Sequence, residues 1–236
     1  MGAITIKAII PPLNLSLIVK EYSVTLPTSS TTITVYLTAV YIKSIIENMK
    51  AKDLKRPIGI TIPVDLRSVF PSKTIRNFFY TFLTSYKAND KDVDLEDIIN
   101  EIAKQFKEEL TKENLQKKLN SFMLLEKILV IRLVPNFIKD FSLKFFAMNG
   151  KRGQTTVLSN LGVIKLPEEY EKYVTTFSTF ASTDDIQLCV CSYKNDLILN
   201  FSSHFVSKDI ERSFLKEIQK EIDDKILIIS NIREDE

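Results

Sequence analysis

The chain has no tryptophan, one histidine, two cysteines and five glycines in 236 residues. Each shortage excludes something. Two thiols, Cys189 and Cys191, cannot build a disulfide framework, so a stapled secreted scaffold is excluded and a cytoplasmic protein with reduced thiols is expected. One imidazole beside that pair cannot complete a metal-ligand quartet of the usual spacing, so no metal site is expected. The glycines, at 2, 59, 150, 153 and 162, form neither a G-x-G-x-x-G turn nor a Walker A loop, which excludes a standard glycine-loop nucleotide cradle. Charge of one sign is missing as well. With 32 Lys and Arg against 30 Asp and Glu, the net charge of +2 projects no field toward phosphate backbones or anionic membranes, and no nucleic-acid partner is expected. Long apolar runs are also lacking. The most apolar stretch, Phe122 to Val134, is broken by Glu126, Lys127 and Arg132 and falls short of the roughly 18 residues of a membrane span. Met1 to Pro12 lacks the pattern of a secretory signal, and Ile6 stands where myristoylation requires Ser or Thr, so a soluble protein is expected.

What is present suits a globular domain. Apolar residues make up 44% of the chain and charged ones 26%, enough to bury a core, which excludes wholesale disorder and collagen-like or coiled-coil architecture. No low-complexity linker forces a boundary, so residues 1–236 read as a single domain. Ile4 to Ile10 has the β-branched, alternating look of a strand, stopped by Pro11-Pro12 before an apolar segment at Leu13 to Val19. The Ser/Thr cluster Thr28 to Thr32 offers N-caps to a helix whose apolar positions run from Val35 to Met49. Ile58 to Val64 reads as a buried strand. From Val93 the residues Leu95, Ile98, Ile99, Ile102, Phe106 and Leu110 form one helical stripe with Asp94 as its cap. Leu115, Leu119, Phe122 and Met123 continue a second stripe, and Pro135 opens a further helix through Phe146 that Gly150 ends. Thr155 to Ser159, Ile186 to Tyr193 and Leu197 to Ser202 read as strands, the last two joined by the turn Tyr193-Lys194-Asn195-Asp196, and Asp209 to Ile222 reads as a helix. Strands interleaved with helices predict an α/β (α+β) two-layer sandwich with a mixed sheet.

Few residues carry chemistry. Gly150-Lys151-Arg152-Gly153 is a basic turn that reads first as a helix stop. Cys189 and Cys191 stand two apart on a predicted strand, on one face, as two small buried hydrophobes. His204 is the sole imidazole, so any Ser-His or Cys-His mechanism must use it. Asp209 follows it at five residues, a spacing that matches no triad signature.

Three segments are more specific. Arg56-Pro57-Ile58-Gly59-Ile60-Thr61-Ile62-Pro63-Val64-Asp65-Leu66-Arg67, with Phe70-Pro71-Ser72-Lys73-Thr74-Ile75-Arg76-Asn77-Phe78-Phe79 after it, resembles the core of bacterial alcohol acetyltransferases and condensation-domain proteins, members of the chloramphenicol-acetyltransferase-like superfamily of CoA-dependent acyltransferases. Thr156-Val157-Leu158-Ser159-Asn160-Leu161-Gly162 is similar to the later Ser-Asn-Leu-Gly segment of that family, and Cys191-Ser192-Tyr193-Lys194-Asn195-Asp196-Leu197 to its closing hairpin. The order and spacing of all three agree across nearly the whole chain.

The resemblance implies a two-half enzyme in which acyl-CoA, the cosubstrate, and an acceptor meet in a tunnel between the halves, with no covalently bound cofactor. The family's general base is the His of a His-His-x-x-x-Asp motif in the first half. This chain has no such motif, so the resemblance places it as a C-terminal half that needs an N-terminal acyltransferase half as partner, and no catalytic residue is assigned in it. By position in the motifs, Ser159 and Asn160 are the candidates for lining the site, with Gly162 permitting close backbone approach; a simple turn at a strand end is the alternative for this segment. Asp65 and Arg67 are candidates for supporting the tunnel floor through a charge-assisted hydrogen bond, and Asn77 for holding a neighbouring loop. Lys151 and Arg152 read as a solvated turn before they read as contacts to CoA phosphates. Three functions stay open: the C-terminal portion of an acetyl-CoA- or acyl-CoA-dependent O- or N-acyltransferase, a non-catalytic binding or scaffold module that keeps the fold, and a self-sufficient hydrolase using His204. The oligomeric state is open, and an oligomer is compatible with the composition.

Overall fold

The computed structural model describes residues 4–10, 29–127, 153–182, 185–222 and 226–230. Strands β1 (Ile4–Ile10), β2 (Ile58–Asp65), β3 (Phe79–Tyr86), β4 (Thr156–Ile164), β5 (Ile186–Tyr193), β6 (Asp196–Ser203) and β7 (Leu227–Ser230) form one mixed sheet in the order β3-β2-β4-β5-β6-β1-β7. β2, β4 and β5 run parallel, and the remaining neighbours are antiparallel. The helices are α1 (Ser29–Asn48), α2 (Leu95–Glu109), α3 (Lys112–Lys127), the single turn α4 (Glu168–Glu171) and α5 (Asp209–Lys220). This is the mixed α/β sandwich expected from the sequence.

The core follows from residue pattern. α1 is buried around nearly its whole circumference from Thr34 to Ile42, because α2 and α5 flank it and the sheet lies beneath it. Two of its buried hydroxyls bond within the helix: Thr38 donates to the Thr34 carbonyl at 2.6 Å and Ser44 to that of Val40 at 2.7 Å. Ser29 to Thr32, expected as caps, are instead taken into the first turn of α1. In α2, Asp94 accepts from the Glu96 N–H as N-cap, and Leu95, Ile98, Ile99, Ile102 and Phe106 are buried, as the helical stripe predicts. Tyr41, Phe201 and Phe214 meet edge to face with centroids 5.2–5.9 Å apart, which joins α1, β6 and α5; such pairs add about 0.5–1.5 kcal/mol each beyond area burial.

Among the described residues, no long helix covers the opposite face of the sheet. Over β5 and β6 that face carries Cys191, Tyr193 and Ile198, packed beneath Ile164, Leu166, Val174 and Phe177. Tyr193 fastens this strap by donating from its hydroxyl to the Val174 carbonyl at 3.1 Å, and Lys194 donates to the carbonyls of Glu171 and Val174. Cys189 and Cys191 form no disulfide and are buried. Lys194 takes a positive φ of 52° in the turn between β5 and β6.

Three differences from the sequence reading stand out. β4 continues to Ile164 rather than ending at Ser159, so Ser-Asn-Leu-Gly lies inside a strand and not in a turn. β3 and β7 were not anticipated. The segment Leu13 to Val19, the helix expected from Pro135 to Phe146, the stop at Gly150 and the basic pair Lys151-Arg152 lie outside the described residues.

Candidate functional site

The sheet changes character at the carboxyl ends of its parallel strands, where ligands of open α/β sheets commonly bind. β2 and β4 pair only at Ile60 with Thr156 and Thr61 with Val157. This short ladder is tight. Gly59 accepts from the Thr155 N–H at 2.7 Å and donates to the Thr155 hydroxyl at 3.1 Å, while Thr61 donates to Gln154 Oε1 at 3.0 Å. A Cβ on Gly59 would lie 1.9 Å from the Gly153 carbonyl oxygen, so only glycine admits this approach. Beyond Thr61, β2 stays with β3 through Asp65, and beyond Val157, β4 stays with β5. The pairing of the two strands therefore ends at Thr61 and Val157, and Asp65 and Arg67 lie past this point at the end of β2, as Ser159 does on β4.

On the β2 wall, Asp65 Oδ1 accepts from the Arg67 backbone N–H at 3.2 Å and from Arg67 Nη1 at 3.0 Å. Arg67 Nη2 donates to the carbonyls of Thr74 and Arg76 at 3.2 and 2.7 Å, so one guanidinium ties the end of β2 to the loop leading into β3. Both side chains are exposed, 38% for Arg67 and 58% for Asp65, so the pair shapes the loop more than it stabilises the fold. Asn77 is exposed, two residues before β3, and no side-chain hydrogen bond joins it to another described residue.

On the β4 wall, Ser159 is half-buried and lies opposite Cys189 of β5, on the face away from α1. Asn160 points the other way: its Nδ2 donates to the Thr34 hydroxyl of α1 at 2.9 Å, and its Oδ1 accepts from the Gly162 N–H at 2.8 Å. The pairing of β4 with β5 shifts register between Asn160 and Val163, a bulge that Gly162 permits with its φ of +71°. The structure thus brings Asn160 and Gly162 together, places Ser159 on the opposite face from Asn160, and sets Asp65 and Arg67 at the end of β2, past the positions where β2 and β4 pair.

His204 lies elsewhere. It is exposed just after β6, where its N–H meets the Asp185 carbonyl at 3.0 Å. Ser203 pairs with Ile186 while Ser159 pairs with Cys189, so the imidazole sits at the amino end of β5, on the order of 10 Å along the strands from Ser159. Among the described residues, no group of three His, Cys, Asp or Glu side chains could hold a metal ion. Burial pushes the Cys189 thiol above its usual range, which makes it a poor nucleophile. Thr34, the partner of Asn160, lies two residues beyond the Ser/Thr cluster Thr28 to Thr32 and carries no sequence signal of its own.

No curated protein matches the chain. Solved structures do. Trichothecene 15-O-acetyltransferase TRI3 of Fusarium sporotrichioides aligns with a TM-score of 0.57 and 11% identity, over 94% of this chain and 47% of that one. TRI101 of F. sporotrichioides, solved with coenzyme A and T-2, gives 0.54 and 15%, over 93% and 50%. The starter condensation domain of rhizomide synthetase RzmA gives 0.51 and 11%, over 99% and 48%. These likenesses show the acyltransferase and condensation-domain fold, and the chain spans about half the length of each structure. A family model of alcohol acetyltransferases matches residues 18–224. The chain belongs to the alcohol acetyltransferase family.

Proposed function

We propose that this chain is the C-terminal portion of an acyl-CoA-dependent O- or N-acyltransferase, with residues 1–236 as one domain of a two-half enzyme. The reading is carried by one combination. The sheet opens at the carboxyl ends of β2 and β4, whereas the only imidazole stands at the far end of the neighbouring strands. Acyl transfer needs a base to take the acceptor proton as it attacks the thioester, and a donor to steady the tetrahedral oxyanion. Asp65, the carboxylate at the end of β2, is engaged by Arg67 and so is poorly placed to serve as that base. The strand edges of β2 and β4 that cease to bond to one another, together with Ser159 and the loop held by Arg67, suit a wall along which the donor's amide-bearing pantetheine arm lies. A partner N-terminal half carrying His-His-x-x-x-Asp supplies the base. Family membership supports acyl-CoA as cosubstrate, and two reduced, buried thiols support a cytoplasmic setting. Among the described residues no helix is long and apolar enough to cross a membrane.

The test is reconstitution. The chain is mixed with a separately expressed half that carries the His motif, and thiol release from acetyl-CoA is followed with a small alcohol or amine as acceptor. Turnover that needs both chains is expected. A complex that forms but does not turn over would favour a scaffold that has kept the fold and lost the chemistry.

A further inference from the structure

We infer that Pro63 and Asn160 are positioning residues that hold β2 and β4 apart, each acting on one side of the opening. Gly59 bonds toward β4 through its carbonyl, and Ser85, its partner on β3, turns its own N–H and C=O away to Gln105. Strand alternation then turns the backbone of Thr61, Pro63 and Asp65 toward β4 as well. If the ladder of Ile60–Thr156 and Thr61–Val157 were extended by one step, residue 63 would donate its N–H to the Leu158 carbonyl. Proline has no N–H to give. The ladder stops at the position where its next donor is missing, although Pro63 keeps its place opposite Thr81 on β3.

The following step would need the Asn160 N–H to reach the carbonyl of Pro63. Asn160 is committed elsewhere. Its side chain draws β4 toward Thr34 of α1 and fixes the bulge through the Gly162 N–H. The bulge in turn keeps β4 registered on β5 rather than on β2. One residue therefore withholds a hydrogen bond from the closing ladder, and the other anchors the strand that would have to move. Asn160 acts on the site through β4 and does not itself face the opening with Ser159.

The purpose assigned to the opening rests on the proposed acyl transfer, but the geometry is tested without substrate. Backbone amide exchange and thermal unfolding are compared in the wild type, P63V, the double variant P63V/N160V and the conservative N160D, which keeps an acceptor for the Gly162 N–H. In P63V/N160V the backbone amides at positions 63 and 160 are expected to exchange at least about tenfold more slowly than neighbouring exposed amides, as new ladder bonds form. Each bond gained is expected to add roughly 2–4 °C to the midpoint of unfolding, offset in the double variant by the two side-chain bonds that Asn160 gives up. N160D is expected to leave exchange at position 160 as in the wild type. If the double variant fails to fold, P63V alone decides, through the amide that the substitution introduces at position 63. Fast exchange at that position in folded P63V overturns the inference. A lack of acyl transfer in reconstitution would count against the proposed function and leave this result untouched.

Discussion

The Tyr41 hydroxyl of α1 lies 2.9 Å from the Thr156 hydroxyl of β4, which itself donates to the Ile186 carbonyl of β5. This chain of hydroxyls crosses the core just where the parallel strands are still joined, and it fixes α1 over β4. Burial pushes the Tyr41 phenol far above its usual range, so it stays protonated and serves as a donor. Thr156→Ala strands the buried Tyr41 hydroxyl and is expected to cost about 1–3 kcal/mol, against about 1 kcal/mol for Tyr41→Phe, which leaves the Thr156 to Ile186 bond in place. Urea unfolding of the two variants checks the order.

Gly59 and Gly162 are expected to resist alanine for different reasons. At Gly59 the added Cβ meets a backbone oxygen, and the short β2–β4 ladder must shift, at about 1–3 kcal/mol or more. At Gly162 the space is open and only the left-handed backbone objects, at about 1–2 kcal/mol. Chemical denaturation measures both costs. Gly162→Asn, which tolerates that backbone, is expected to recover most of the loss while Gly59→Asn recovers none.

Two glutamates on α5 respond to pH in opposite senses. Glu211 is 1% exposed, its Oε1 has no hydrogen-bond partner among the described residues, and burial raises its carboxyl above the usual range. Its contribution to stability is therefore full below the pKa of the unfolded chain and is lost as pH rises through the folded one. Burial also pushes the Glu217 carboxyl upward, but hydrogen bonds from Lys220 and Lys43, both at 2.6 Å, outweigh it and bring the net shift down. Its contribution is present above the unfolded pKa and lost as pH falls through the folded one. Glu211→Gln is expected to gain on the wild type as pH rises from about 4 to about 8, and Glu217→Gln to fall behind over the same range. Urea midpoints across that range check both slopes.

The expectation for Arg67 is local. Arg67→Lys keeps the charge but cannot reach Asp65, Thr74 and Arg76 together, so the loop into β3 is expected to exchange faster while global stability changes by less than about 1 kcal/mol. Amide exchange over residues 66–78 separates the two effects.

Much of this was legible in the sequence where local pattern and burial agree. The stripe from Leu95 to Phe106 with its Asp94 cap reads directly as α2, and the β5–β6 hairpin announces itself through Tyr193-Lys194-Asn195-Asp196. β3 did not, because Phe79 and Leu83 are apolar on the exposed face and mask the alternation that Phe82 and Thr84 follow on the buried one. The far end of β4 was hidden by its bulge, which breaks the two-residue period from Asn160 to Val163. The same bulge explains the site. The closeness of Asp65 and Arg67 in sequence suggested their bond, but local pattern does not reach the partner of Asn160, which lies 126 residues away.

The most direct measurement is thiol release from acetyl-CoA by the purified chain alone, with and without His204→Ala. No release above the buffer rate is expected in either case, because the one imidazole stands apart from the opening. Sustained turnover by the isolated chain, abolished by His204→Ala, would contradict the assignment of the catalytic base to another half.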